Sequence, residues 1–425
     1  MKPGFGLIPT HPRTIRMLEI METFIARQPI FDRNTSVHGY ELLYRSSADN
    51  FYDGANLDEA SVQTIVDSHI FSGSGNLLEG KTAYINFTRS TLIKNCAVLL
   101  PRESTVIELL ESVPPDREVI EACRKAKGGG YRIALDDYVY NDAREVLADF
   151  ADLIKVDFLS TSPEEQQELA QRFQARGISL CAEKVESWEV AKRAAEMGYT
   201  YFQGYFFGKP VILTGQDIPA SKLHYLKVIR ELHQPELQFR NLEALISEDL
   251  SLTYKLLRYL NSAAFCFRRE IGSVRQAIVQ LGEQGIRKWI TLIALVQISN
   301  GCVTELVNRA LVRASMCESI ATSIGLSRSS DDLYLMGLFS CLDAVLGREL
   351  SEVLDELSIT REIKNGLLGE EGIFSEIFKC TLAYERGNWE EVGERAAKLQ
   401  MKEAQLPAIY CGAVSHASEV SFAVA

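Results

Sequence analysis

Residues 106–138 read VIELLESVPPDREVIEACRKAKGGGYRIALDDY. An apolar, β-branched run at 104–110 carries Glu108, an amphipathic stretch follows at 116–127, and three glycines lead into a second run at 131–135 that ends on Asp136 and Asp137. Run, helical stretch, run is the pattern of two parallel strands joined by a helix. The same rhythm extends to both sides, with runs at 24–30, 37–44, 82–87, 153–156, 178–182 and 199–207 and helical patterns at 163–176 and 187–197. Repeated this often, it predicts a mainly parallel sheet, closed as a barrel or open. In a barrel, working residues collect where strands end.

The polar residues of this half fall at those positions. Glu41 lies in the second run, Asn86 ends the third and Glu108 sits near the end of the fourth. Asp136 and Asp137 follow the fifth, Lys155 and Asp157 mark the sixth, Glu183 and Glu186 the seventh, and Gln203 lies in the last. A lone Asp at a strand end is usually a helix N-cap or turn residue, and Asp157 has both that reading and the site reading open. Lys155 has a salt-bridge reading and Glu111 a surface ion-pair reading. Acids at so many strand ends, however, serve no packing need. Converging on one mouth, they repel each other unless cations intervene. Mg²⁺ and Mn²⁺ prefer oxygen ligands, and two such ions activate a water and stabilise charge on a phosphoryl group. The chemistry predicted is metal-assisted phosphoester hydrolysis.

After Pro210 the period changes to that of helices, at 217–232, 241–260, 273–281, 285–298, 304–324, 333–346, 351–357, 360–365, 373–386 and 389–399. The expected division is 1–21 as a disordered lead-in (with Met21 as the alternative start), 22–212 as the α/β half and 213–425 as an all-α half. A chain of 425 residues is too long for one ordinary core. Its 46% hydrophobic and 24% charged content is that of a globular protein, and the net charge of -12 excludes a general nucleic-acid binder, DNA included. Nine cysteines with no CxxC spacing fit reduced thiols in a cytoplasm better than disulfides or zinc. The lead-in carries Pro3, Pro9 and Pro12 and lacks a signal peptide's apolar core. The longest apolar stretch, 289–298, is broken by Thr291 and Gln297 and is too short for a membrane span.

Motif by motif, the first half resembles the EAL family of cyclic di-GMP phosphodiesterases. RQPIFDRN (27–34) with GYELLYR (39–45), YINFT (84–88), VIELLE (106–111), LDDY (135–138), IKVD (154–157), AEKVE (182–186) and FQGYFFGKP (202–210) follow the family's order. The resemblance implies a (β/α)8-type TIM-like barrel. It implies that Glu41, Asn86, Glu108, Asp136, Asp137 and Glu183 hold two ions, Mg²⁺ or Mn²⁺. Lys155 would position the attacking water, with Glu186 and Gln203 completing the shell. Gln28 and Arg45 would contact a guanine and a phosphate of cyclic di-GMP, and Glu111 would support the neighbouring loop. The product would be linear pGpG. The chain departs from the family at the loop 138–141, which has no Gly, and at Lys184, where Gly is usual. The region is also short for a barrel of typically about 250 residues, so trimmed outer helices are expected. Those departures open an alternative, a receptor or scaffold that binds the nucleotide with little or no turnover.

The second half is similar to HDOD domains, through LLRYLNSAAF (256–265), SVRQAIVQLG (273–282), RALVRASMCESIA (309–321) and LYLMGLFSCLDAVLG (333–347). The related HD hydrolases need a His-Asp pair and further histidines. Here that place reads Phe339-Ser340-Cys341, and the half offers only His224, His233 and His416, with Asp343 read as a helix-surface residue. A non-catalytic domain that senses, docks a protein partner or forms a homodimer is expected.

Overall fold

The computed structural model describes residues 24–45, 78–204, 225, 228–230, 232, 242–243, 246–247, 250–261, 271–298, 304–357 and 359–424. The lead-in, His224 and His233 lie outside them. Eight strands close into a barrel in sequence order: β1 (Phe24–Asp32), β2 (Val37–Arg45), β3 (Thr82–Phe87), β4 (Thr105–Leu109), β5 (Arg132–Tyr138), β6 (Leu153–Asp157), β7 (Ser179–Glu183) and β8 (Tyr201–Phe202). From β2 to β8 every pairing is parallel, but β1 runs against both β2 and β8. The cause is local. Only residues 33–36 separate β1 from β2, too few for a parallel crossover, and Asp32 Oδ1 accepts the Asn34 and Ser36 N–H groups at 2.8 and 2.9 Å to make the turn.

Outer helices α1 (Arg89–Ile93), α2 (Arg117–Gly128), α3 (Pro163–Gln174) and α4 (Trp188–Met197) cover the barrel. Their starts are set by side chains that accept first-turn N–H groups. Asp116 caps α2, Ser187 caps α4, and Ser162 with Glu165 forms a capping box on α3. Between β5 and β6 the connection carries only the 3-10 turn Glu145–Asp149, so an outer helix is indeed trimmed there.

Alternation along the strands divides the barrel interior into tiers. Ile30, Tyr84, Val106, Ala134, Leu153 and Cys181, with Tyr201 against them, form an apolar floor. Gly39 leaves room for this floor, because a Cβ there would lie 2.8 Å from the Tyr84 ring and 2.5 Å from the Thr82 carbonyl oxygen.

The remaining described elements are helical: α5 (Leu250–Leu260), α6 (Val274–Ile298), α7 (Thr304–Ser323), α8 (Ser330–Phe339), α9 (Leu342–Leu346), α10 (Leu350–Glu356), α11 (Arg361–Leu368), α12 (Ile373–Glu385), α13 (Trp389–Lys398) and α14 (Leu406–Val424). Within α6 the backbone breaks at Gly282, with φ 70° and ψ 179°, so the two helices read from sequence meet at a kink. The last helix, α14, has no counterpart in the sequence reading. Among the described residues no helix is long and apolar enough to cross a membrane.

Strand β1 belongs to both halves. Phe24, Ile25 and Ala26 are part of the helical core, and the Phe24 ring packs 5.8 Å from Trp389 and 6.3 Å from Tyr384. Burying one such aromatic contributes roughly 2 kcal/mol. Beside them Arg27 is buried, pairs with Glu79 at 2.9 Å and stacks 4.2 Å from the Tyr40 ring centroid. Tyr40 donates to Glu305 on α7 at 3.1 Å, and the Arg27 N–H donates to the Tyr410 hydroxyl of α14 at 3.3 Å.

Candidate active site

Two residues beyond each floor position, toward the strand ends, the interior turns polar. Tyr84 is followed by Asn86, Val106 by Glu108, Ala134 by Asp136, Leu153 by Lys155, Cys181 by Glu183 and Tyr201 by Gln203. On β2 the step from Gly39 reaches Glu41. On β1, which runs the other way, the step back from Ile30 reaches Gln28, whose Cα is paired with that of Glu41. Neighbours in a regular strand face opposite sides. Asp136 and Asp137 escape this because β5 breaks register between Leu135 and Tyr138, with Asp137 at φ 43°.

At the centre is the fully buried Lys155. Its Nζ lies 2.7 Å from Glu108, Asp136 and Glu183 and 3.1 Å from Glu41. Gln203 donates to Glu41 at 2.7 Å and to Gln28 at 3.1 Å, and Asn86 donates to Glu41 at 3.2 Å. Four carboxylates thus surround one ammonium. Burial pushes Glu108 and Asp136 upward against the pull of Lys155, and pushes Glu183 up to about 8. At Glu41 burial acts upward too, but Lys155, Gln203 and Asn86 together hold its carboxyl below the ordinary value. Burial disfavours the Lys155 cation, yet Asp136, Glu108, Glu183 and Glu41 outweigh it and keep it charged.

The ring asks for more positive charge than Lys155 provides. Asn86 Oδ1, Glu108 Oε2, Glu183 Oε2 and Gln203 Oε1 are buried with no hydrogen-bond donor. All four are acceptors, and such atoms normally find partners. An all-oxygen donor set with an excess of carboxylates fits hard divalent cations. At the outer lip, oxygens of Glu111, Asp136 and Asp137 lie within 4.8 Å of one another, which places Glu111 beside the aspartates.

The structure therefore brings together Glu41, Asn86, Glu108, Asp136, Lys155, Glu183, Gln203 and Gln28, with Asp137 at the lip. Glu186 lies exposed on the turn beyond β7, outside the buried ring. Arg45 ends β2, and its side chain is outside the described residues. Asp157 does not join the ring. It accepts the Leu159 and Ser160 N–H groups at 2.7 and 3.1 Å, the turn role open to it from sequence, and also pairs with Lys184 at 2.7 Å.

Arg144 escaped the sequence reading. It is buried, donates to the carbonyls of Leu109 and Asp136 at 3.1 and 2.8 Å, and pairs with Asp142 at 2.7 Å. It clamps the ends of β4 and β5 and the loop after Asp137; the Asp-x-Arg spelling at 142–144 was the available signal. The same loop turns without glycine because Asn141 takes φ 60°, a conformation Asn tolerates. Gly204 is required next to Gln203, since a Cβ there, at φ 150°, would lie 2.2 Å from the Val185 carbonyl oxygen.

In the helical half an arginine fills the corresponding polar core. Arg313 donates to both oxygens of Glu385 at 2.7 and 2.9 Å and to the Ser340 hydroxyl at 3.3 Å, and its Nη1 lies 3.6 Å from Cys341 Sγ. Arg309 reaches the same Glu385 at 3.3 Å. Asp343 is not a plain surface residue: it is half-buried, burial raises its carboxyl, and Oδ1 accepts the Ala344 N–H at 2.8 Å. His416 packs against Tyr334.

The EAL domain family matches residues 85–210 and the HDOD domain family residues 218–365. The chain is 35% identical over 393 residues to the uncharacterized protein YuxH of Bacillus subtilis, covering 90% of this chain and 96% of that one. It is 31% identical over 380 residues to the cyclic di-GMP phosphodiesterase CdgJ of Vibrio cholerae, covering 89% and 88% of the two chains. Among solved structures, an EAL domain protein from Listeria monocytogenes aligns at a TM-score of 0.36 and 20% identity, over 46% of this chain and 90% of that one. The calcium and cyclic di-GMP complex of Klebsiella pneumoniae BlrP1 aligns at 0.36 and 20%, over 44% and 55%. With both domains matched in order and relatives of this identity spanning nearly its whole length, the chain belongs to the family of proteins that join an EAL domain to an HDOD domain.

Proposed function

We propose that this protein is a cyclic di-GMP phosphodiesterase whose barrel half, residues 22–212, hydrolyses the dinucleotide to linear pGpG with two divalent cations, Mg²⁺ or Mn²⁺. The helical half, 213–425, is read as non-catalytic, acting through contacts with the barrel or with a protein partner. The observation that carries the reading is the set of four buried acceptor oxygens without donors in a ring where carboxylates outnumber the single ammonium. The shared family with CdgJ supports the substrate.

In this reading Glu41, Asn86, Glu108, Asp136, Asp137 and Glu183 hold the ions. When bound, such ions lower the pKa of a coordinated water and neutralise charge building on the phosphoryl oxygens. Lys155, fixed by its carboxylates, orients the water and adds positive charge beside the transition state. Gln203 holds Glu41 in place, Glu186 completes the shell from the exposed side, and Gln28 and Arg45 receive a guanine and a phosphate. The apolar floor keeps bulk water from the buried side of the ring.

The purified full chain, given Mn²⁺ or Mg²⁺ and cyclic di-GMP, is expected to release pGpG on anion-exchange chromatography, and a chelator should stop it. A second reading is favoured by one contact, Lys184 on Asp137 at 2.9 Å: a receptor that binds the nucleotide without turnover. Tight calorimetric binding with no product under either metal would select that reading over hydrolysis.

A further inference from the structure

Glu183 and Lys184 are adjacent, yet their side chains part. Glu183 reaches into the buried ring, while Lys184 turns outward through a backbone φ of 54°, a conformation that side-chain-bearing residues seldom adopt. Its side chain is 47% exposed, and even so its Nζ is held twice, 2.9 Å from Asp137 Oδ1 and 2.7 Å from Asp157 Oδ2. Asp157 is a fixed post: its Oδ1 accepts the Leu159 and Ser160 N–H groups, and Oδ2 also accepts the Ser160 hydroxyl at 2.8 Å. Asp137 is itself left-handed, at φ 43°, and its carboxylate belongs to the outer cluster with Glu111 and Asp136. Two unusual backbone conformations on separate strand ends thus meet in one ion pair at the lip of the mouth. No packing need accounts for it, because a half-exposed lysine contributes little to the core.

We propose that Lys184 is the resident counter-ion of the outer cation position. Its ammonium neutralises Asp137 while no ion is bound and swings back onto Asp157 when a divalent ion arrives, so Lys184 sets the affinity of the outer ion and leaves the inner one alone. The flexible four-carbon stem lets it release one carboxylate while keeping the other. The inner ring has its own fixed ammonium, Lys155, buried and bonded on all sides, which cannot move in this way. This inference rests on the metal reading proposed above and adds a residue that the reading does not use. Lys184 is a positioning residue: it acts through Asp137.

The test is calorimetric titration of Mn²⁺ into the metal-stripped full chain, comparing wild type with Lys184→Asn and Asp157→Asn. Asn accepts a left-handed backbone, so the first variant removes the cation without forcing the turn; a thermal melt before titration shows that each variant is folded. In Lys184→Asn the weaker Mn²⁺ step is expected to tighten about fivefold, the scale of a partly exposed ion pair, with the tighter step unmoved. Asp157→Asn is expected to weaken the same step, because the ammonium is then left to Asp137 alone. Equal shifts in both steps, a weaker outer step in Lys184→Asn, or tightening in Asp157→Asn overturns the proposal. Two-step uptake identical in all three proteins overturns the role of Lys184 while leaving the metal reading intact. No Mn²⁺ uptake by wild type overturns both.

Discussion

Two buried polar clusters lie in the same chain, and their charge balance differs. In the barrel mouth, Glu41, Glu108, Asp136 and Glu183 close on Lys155, four acids on one base, and acceptor oxygens are left without donors. Across the interface of the halves, Arg27 pairs with Glu79, Arg309 and Arg313 pair with Glu385, and Tyr40 and Tyr410 fill in hydrogen bonds, so each acid of the ion pairs meets at least one arginine. The second cluster neutralises itself, and removing any member leaves a buried charge uncompensated. The first keeps an excess of carboxylates, the charge that the proposed cations would balance. The difference teaches that burial of charge alone does not single out a candidate site; an imbalance of one sign does.

The comparison breaks most visibly at Glu41. Glu41→Ala is expected to lower turnover of cyclic di-GMP on the order of 10³-fold or more, the scale of losing a group that holds the catalytic charge. The variant should still fold, as circular dichroism would show, although Gln203 and Asn86 lose a shared acceptor. Retained turnover would show that the ring is not the site. The interface cluster should behave in the opposite way. Arg313→Ala takes the two shortest ion-pair contacts from Glu385, leaving the longer one to Arg309 at 3.3 Å, and is expected to cost about 3 kcal/mol in denaturant unfolding. The folded fraction should keep its turnover per molecule.

A finer test uses pH. Burial pushes the Glu183 carboxyl up to about 8, with Lys155 pulling the other way. At pH 7 the metal-free ring therefore holds a proton that an incoming ion must displace. The affinity of the inner Mn²⁺ step should fall about tenfold per pH unit below 8, and calorimetry in buffers of different ionisation enthalpy should detect the released proton. The sign for folding follows from the same shift. A carboxyl raised above its ordinary 4.5 favours the folded metal-free protein below that value and withdraws its contribution as pH rises through 8. Metal should abolish that loss.

Much of this was legible in the residues. The polar positions 41, 86, 108, 136, 155, 183 and 203 were found because they lie in or at the ends of alternating runs, which leave a mark at period two. The same period also places the floor, Tyr84 before Asn86 and Ala134 before Asp136, so both tiers are written in the strands. The reversal of β1 is written in the short gap between the runs at 24–30 and 37–44, which leaves no room for a parallel crossover. Other features were not, because they are set at long range. Lys184 reads as a cation beside Glu183 where the family has Gly, but its hold on Asp137 and Asp157 appears only once those residues are brought to it from other strands. Arg144 becomes a clamp only once β4 and β5 are neighbours. Helix α14 is apolar on most sides, and its mark was faint until β1 was seen packed against it.

That shared strand has a consequence for anyone who handles the protein in pieces. The composition changes near residue 212, which invites a cut there to obtain an independent catalytic barrel. Such a fragment would keep β1 but strip its outer side, leaving Phe24, Ile25, Ala26 and Arg27 facing water where Tyr384, Trp389 and Tyr410 had been. The excised barrel would carry an adhesive apolar face, and its failure in an assay would report the surgery and not the chemistry. Testing the proposed hydrolysis apart from the proposed role of the helical half calls for point changes on α7, α12 and α14, with the full length left intact.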